Sequence, residues 1–152
     1  MRIQPLTTDA EREACARMMA TSEPWLTLGQ TYAQGLALLS APDRELYVLK
    51  EDDAVVGFVI IVMHGILSGY VQTIAVAEAY RGQGYGAQLM QFAEARIFRE
   101  KPNVFLFVSS FNPRARKLYE TLGYEVIGIV KDFLVKGHDE ILMRKTIGPL
   151  KA

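Results

Sequence analysis

Three glycines in five residues, Gly82, Gly84 and Gly86, stand where a β-rich run ends and a helical pattern begins. The run Ile74-Ala75-Val76 reads as a strand. From Gly84 to about Glu100, Leu89, Ala93 and Ile97 fall on one line with Met90 beside it, the spacing of an amphipathic helix. A glycine weakens a helix start by about 1 kcal/mol relative to alanine, so a compensating role is expected of the cluster. Alternate glycines let several backbone N–H groups converge with no Cβ in the way, at the positive end of a helix dipole, and such a turn holds phosphate.

Two better-known phosphate patterns do not fit. Gly82-Gln83-Gly84-Tyr85-Gly86-Ala87 satisfies the letters of a dinucleotide fingerprint, but roughly half the chain precedes it, and Pro102-Asn103-Val104-Phe105 supply no acid at the required offset. A Walker loop needs a Gly-Lys-Ser/Thr that the sequence lacks here.

Around this turn the chain alternates between strand and helix patterns. Ile3 to Leu6 reads as a strand, and a helix follows from Thr8 or Asp9, with Ala14, Cys15, Met18 and Met19 on one stripe. Thr27 is expected to cap a second helix carrying Leu28, Tyr32, Leu36 and Leu39. Leu46 to Lys50 and Ala54 to about His64 form a hairpin across Glu51-Asp52-Asp53. Gly65 to Gly69 turns into Tyr70 to Val76, and Val104 to Val108 is a continuous apolar strand. Asn112 caps a short helix ending at Leu122-Gly123. Two last strands, about Tyr124 to Lys131 and Glu140 to Thr146, flank the loop Lys136-Gly137-His138-Asp139. The expected class is α/β (α+β): a mixed sheet with helices on its faces.

Composition narrows the rest. With 152 residues, half of them hydrophobic, the chain reads as a single domain, 1–152, burying roughly 70% of its unfolded surface with no need of disulfides or a structural metal. Cys15 is the one cysteine and no Cys/His cluster has zinc spacing, so no metal site and a reducing, cytoplasmic setting are expected. Lys plus Arg equals Asp plus Glu at 17 each, which leaves no net field for nucleic acid. The start, Met1 to Leu6, lacks the apolar stretch of a signal peptide, and Ala54 to Met63, broken by Gly57, is too short to span a bilayer.

The segment Ile74-Ala75-Val76, then Tyr80-Arg81-Gly82-Gln83-Gly84-Tyr85-Gly86, then a helix with Leu89, resembles the acetyl-CoA signature of the Gcn5-related N-acetyltransferases, Q/R-x-x-G-x-G/A, through Arg81, Gly84 and Gly86. A second block, Asn112-Pro113-Arg114-Ala115-Arg116-Lys117-Leu118-Tyr119-Glu120-Thr121-Leu122-Gly123-Tyr124, is similar to that family's N-x-x-A-x-x-L-Y-x-x-x-G-F/Y. On its own, helical spacing puts Asn112, Arg116 and Tyr119 along one face, Asn112 and Tyr119 roughly 10 Å apart. The resemblance covers about Leu46 to Thr146. It implies a mostly antiparallel sheet of about seven strands with helices on both faces, acetyl-CoA as cosubstrate, and an amine of a small molecule or peptide as acceptor. It also implies the diphosphate of CoA on the amides of Gly82, Gln83, Gly84, Tyr85, Gly86 and Ala87, pantetheine along Ile74, Ala75 and Val76, Asn112 hydrogen-bonded to the pantetheine, and Tyr119 as general acid. The Val76 N–H becomes a candidate to polarise the thioester carbonyl. Arg81, Arg114, Arg116 and Lys117 become candidates for contact with the cosubstrate or its phosphates, against the plainer reading of a solvated basic face. Many relatives form homodimers. A domain that binds CoA as a sensor or interaction module, without turnover, is the alternative.

The general base stays open. Neither Tyr70-Val71-Gln72-Thr73 nor Val104-Phe105-Leu106-Phe107-Val108 supplies the glutamate that some family members carry on those strands. A water held by Gln72, or His64, Asp132, His138 or Glu140, remains available, while Glu78 reads as exposed. Deprotonating a lysine ε-amine at pH 7 costs roughly 4 to 5 kcal/mol and an α-amine only about 1, so without a carboxylate an acceptor of modest pKa is expected. Trp25, Leu26, Tyr32 and the loop near His138 are candidates for the acceptor pocket.

Overall fold

The computed structural model describes residues 1–151. Strand β1 (Arg2–Pro5) leads to α1 (Asp9–Ala20), α2 (Trp25–Leu28) and α3 (Tyr32–Ser40). Then come β2 (Glu45–Glu51), β3 (Ala54–Val62), β4 (Tyr70–Val76), α4 (Tyr85–Phe98), β5 (Asn103–Ser109), α5 (Pro113–Thr121), β6 (Glu125–Val130) and β7 (Glu140–Thr146). The seven strands form one sheet in the order β1-β2-β3-β4-β5-β7-β6. Every neighbouring pair is antiparallel except β4 and β5.

Alternation along β3 explains the apolar run Phe58 to Val62. Phe58 and Ile60 pack with Cys15, Met19 and Leu39 of α1 and α3, while Val59 and Ile61 pack with Leu89, Met90 and Ile97 of α4 on the opposite face. A strand covered on both faces needs no polar alternation. Burying these side chains stabilises the fold by about 1.5–3 kcal/mol each. Among the described residues no helix is long and apolar enough to cross a membrane.

The sequence pattern placed nearly all of these elements within a residue or two; the exception is the second helix. It is not one helix capped by Thr27 but two. Gly29, at φ +70°, ends α2 in the left-handed conformation, and Thr31 starts α3 with a reciprocal cap, its hydroxyl accepting from the Gln34 N–H while the Gln34 side chain accepts from the Thr31 N–H. The apolar spacing ran across a glycine that stops a helix outright.

Two irregularities open the sheet. Ile60 pairs with Thr73 and Ile61 with Val71, which leaves Gln72 as an extra residue on β4. Beyond it, β4 and β5 no longer pair: their register holds only at Tyr70 with Phe105 and Val71 with Leu106. The Ala77 N–H donates to the Val56 carbonyl on the β3 side. By strand alternation the peptide groups of Ile74 and Val76 therefore face the side that β5 has left.

Candidate active site

The parted strands leave two adjoining clefts. The larger, about 390 Å³, runs from Ile74-Ala75-Val76 past Arg81, Gly82 and Gly84 to the first turn of α4. The smaller, about 150 Å³, lies between the start of β4, the end of β5 and the loop before β7. Pro24, Trp25, Ile74, Asn112, Ala115 and Tyr119 line both, so the side chains of one α5 face stand at the seam.

The glycine turn is built as its sequence suggests. Gly82 and Gly84 hold φ of +73° and +86°, conformations that a Cβ would strain, and Gly84 is the residue from which α4 begins, with no side-chain cap. The first helical bond runs from the Gln88 N–H to the Gly84 carbonyl, so the amides of Tyr85, Gly86 and Ala87 precede the helical ladder. Arg81 folds back to donate from Nε to the Val76 carbonyl at 3.1 Å. Arg114 reaches across from α5, its Nη2 3.7 Å from where a Gly82 Cβ would lie. This is the shape and chemistry a diphosphate with an extended amide-bearing arm requires: free N–H groups at a helix start, nearby guanidinium groups and an unpaired strand edge.

Not every expected contact is in the cleft. Arg114 lines it, whereas Arg116 pairs with Glu120 at 2.8 Å and Gln83 turns its amide toward the Ala79 carbonyl, both outside the lining. Asn112 serves the helix as well as the cleft. Its Oδ1 accepts from the Ala115 N–H at 3.3 Å, and its side-chain NH₂ has no such helical duty.

Tyr119 is 7% exposed, and burial pushes its hydroxyl up to about 12. Its ring meets Tyr124 edge-on at 6.1 Å. Tyr124 is in turn fixed by donating its hydroxyl to Glu94, whose other oxygen accepts from Lys145, both at 2.8 Å. The tyrosine at the seam thus rests on a satisfied buried network.

The base candidates separate clearly. Glu140 is 3% exposed, lines the smaller cleft, and accepts from the Ser109 hydroxyl at 2.7 Å. Burial raises its pKa against the opposing pull of that hydrogen bond and of His138. His64 and Asp132 are exposed and outside both linings, and Asp132 accepts from the Gly137 N–H at 2.7 Å. His138 packs on Phe111. Gln72 lines the cleft, but its carbonyl oxygen is already taken by Arg44 Nε at 2.7 Å.

Around the smaller cleft, Trp25 is present, but Leu26 and Tyr32 are exposed elsewhere and do not line it. Phe133 and Leu134 of the loop after β6 line it in place of His138. Tyr70, Phe107, Phe133 and Ser109 carry no motif that marks them. Only the β5–β7 register, which sets Ser109 opposite Glu140, brings that pair together.

Comparison with known proteins places the fold and the family. An N-alpha-acetyltransferase of Sulfurisphaera tokodaii is 35% identical over 81 residues, 51% of this chain and 48% of that protein. The N-alpha-acetyltransferase RimI of Mycobacterium tuberculosis is 28% identical over 152 residues, 95% of each chain. The chain thus spans about half the length of the Sulfurisphaera relative and nearly all of the Mycobacterium one. An aminoglycoside 6'-N-acetyltransferase complexed with coenzyme A shares the fold, with a TM-score of 0.79 over 98% of both chains at 18% identity. The family model described as Acetyltransferase (GNAT) family matches residues 8–124, and the chain belongs to that family.

Proposed function

We propose that the protein transfers an acetyl group from acetyl-CoA to a primary amine of a small molecule or peptide, by direct attack within a ternary complex. The observation that carries this reading is Tyr119 standing at the seam of two clefts, one fitted to a diphosphate and its arm, the other holding a single buried carboxylate. In this reading the amides of residues 82–87 take the diphosphate, and Arg81 and Arg114 add charge beside it. Ile74 offers its free peptide group to the arm and Val76 its N–H, the Val76 carbonyl being held by Arg81, with Ala75 between them facing β3. The NH₂ group of Asn112 donates to an arm carbonyl. Arg116, held by Glu120, serves at most the outer phosphate.

Acetyl-CoA supplies the acyl group activated as a thioester. Glu140 first takes a proton from the bound ammonium and passes it to solvent, which frees the nitrogen lone pair, and takes a second as the nitrogen–carbon bond forms; its raised pKa brings it nearer to the acceptor than an exposed carboxylate would be. The Val76 N–H polarises the carbonyl. As the carbon–sulfur bond breaks, Tyr119 gives its proton to the departing sulfur, and burial keeps its hydroxyl protonated beforehand. Glu140 then releases its proton to solvent and Tyr119 is reprotonated. A carboxylate base from β7 removes the reason to expect an acceptor of modest pKa, since that expectation rested on a site without one.

The test is thiol release from acetyl-CoA across a panel of amines, amino acids, polyamines and peptides, with calorimetry on CoA alongside. Release with any amine supports the proposal. Heat on binding without release on any amine supports the non-catalytic module, and a folded sample that gives no heat overturns both.

A further inference from the structure

The smaller cleft has a chemistry more selective than an amine acceptor in general requires. Its charge is Glu140 alone: among the residues lining it there is no second carboxylate and no lysine or arginine. Arg44, reached through Gln72, lies outside the lining and gives its Nε to Gln72 and its Nη1 to the Pro42 carbonyl. Beside this lone charge runs an aromatic wall, with Tyr70 near enough for the Glu140 charge to act on its hydroxyl and Phe107 two residues along β5 from Ser109, on the same face. Tyr70 meets Phe107 edge-on at 6.0 Å, and Phe107 meets Phe133 at 5.3 Å. Trp25, Leu28 and Leu134 complete the apolar lining.

Three classes of amine meet this cleft differently. A polyamine would bring a second ammonium with no carboxylate to receive it, and desolvating that charge opposes binding. A free amino acid would bring its own carboxylate close to Glu140 with no cation lining the cleft, a like-charge arrangement that costs several kcal/mol. A single ammonium on an apolar, ring-bearing body satisfies both the charge and the wall. Its charge meets Glu140, its ring stacks on Phe107 and Phe133, and the aromatic faces attract the ammonium as it enters.

Resting on the acetyltransfer reading above, we propose that the acceptor is a monoamine joined through a short link to an apolar ring, recognised by Glu140 and by the Tyr70–Phe107–Phe133 wall beside it. Two sources carry this chemistry: a free arylalkylamine, and a peptide whose first residue is aromatic and whose own carboxyl is far away or amidated.

The experiment compares kcat/KM for phenethylamine, phenylalaninamide and a phenylalanine-led peptide amide with that for spermidine, phenylalanine and ethylamine. The first three are expected to exceed the last three by about tenfold or more, the scale set by filling an apolar pocket or leaving a charge unmatched. Preference for phenethylamine over the peptide amide assigns the free amine as source, and the reverse assigns the peptide. Phe107→Ala should raise KM for phenethylamine about tenfold or more and leave that for ethylamine within a factor of about two. Phe133→Ala, a change in an exposed loop that leaves the sheet intact, should do the same to a smaller degree and serves if Phe107→Ala does not fold. Equal or better turnover of spermidine or phenylalanine, or an unmoved KM in both variants, overturns the inference while leaving acetyltransfer standing. Failure of every amine falls on the acetyltransfer reading instead.

Discussion

Ser109 on β5 sits directly opposite Glu140 on β7, and its hydroxyl donates to the Glu140 carboxylate at 2.7 Å inside the sheet. The bond orients a carboxylate that would otherwise be buried with no partner, and burial still outweighs it, so the group's pKa stays raised from the ordinary glutamate value. A base must be unprotonated to act. The acid limb of kcat/KM is therefore expected above pH 4.5, the ordinary glutamate value, with activity falling as pH drops through it. Glu140→Gln should lower kcat/KM by about 10² or more and abolish that limb. Ser109→Ala removes the one hydrogen bond that lowers the pKa, so it should shift the limb further up rather than remove it. A pH–rate profile of the three proteins checks this, and an unchanged limb in Glu140→Gln would take the base role from Glu140.

Tyr119 offers the matching test at the leaving group. Phenylalanine fills the same space against Tyr124 and keeps the packing at 6.1 Å between rings. Tyr119→Phe is expected to keep CoA affinity nearly intact and to lower turnover about tenfold or more. Calorimetry and steady-state rates on one preparation separate the two effects.

What the sequence made legible divides along a physical line. The turn of Gly82, Gly84 and Gly86, the cap at Asn112 and the helix stop at Gly123 are local: each follows from a residue type and the backbone it permits, and each stands in the structure where the pattern put it. The smaller cleft is not local. Glu140 meets Ser109 across 31 positions, Arg44 meets Gln72 across 28, and the aromatic wall draws on β4, β5 and the loop before β7. No periodicity within one segment encodes such meetings; strand register does. Gly29 marks the opposite failure, a local signal overridden in the reading by apolar spacing on both sides of it.

At Gly84 the space for a side chain exists but the backbone conformation does not suit one. A Cβ there would meet nothing within 4 Å, yet φ is +86°. Gly84→Ala should therefore cost about 1–2 kcal/mol of stability from backbone strain alone. If the residue relaxes toward negative φ, the amides after it turn away and CoA binding weakens with it. Thermal unfolding and calorimetry on the variant, compared with Gly65→Ala at an open turn of φ +92° outside both cleft linings, separate general strain from loss of the anion site. Equal CoA affinity in both variants would sever the turn from the diphosphate.

Far from the clefts, Glu11 sets how the fold responds to acid. It closes the capping box at the start of α1, where its Oε1 accepts from the Thr7 and Thr8 N–H groups at 2.9 and 3.1 Å, and its Oε2 accepts from Lys50 of β2 at 3.0 Å. The Thr7 amide, helped by Lys50 and the Thr8 amide and opposed by burial, holds its pKa down at about 2. A carboxylate whose folded pKa lies below its unfolded value binds fewer protons folded than unfolded. Its stabilisation is thus full above the unfolded value near 4.5 and fades as pH falls from there toward about 2. Glu11→Gln keeps the size of the side chain but loses the charge that serves Lys50 and both amides. Its unfolding midpoint should drop at pH 7, and the gap from the parent should close as both are titrated down through that window. Denaturant melts at several pH values check this, and a gap that stays constant from pH 7 to pH 2 would mean that packing, not charge, is what Glu11 contributes.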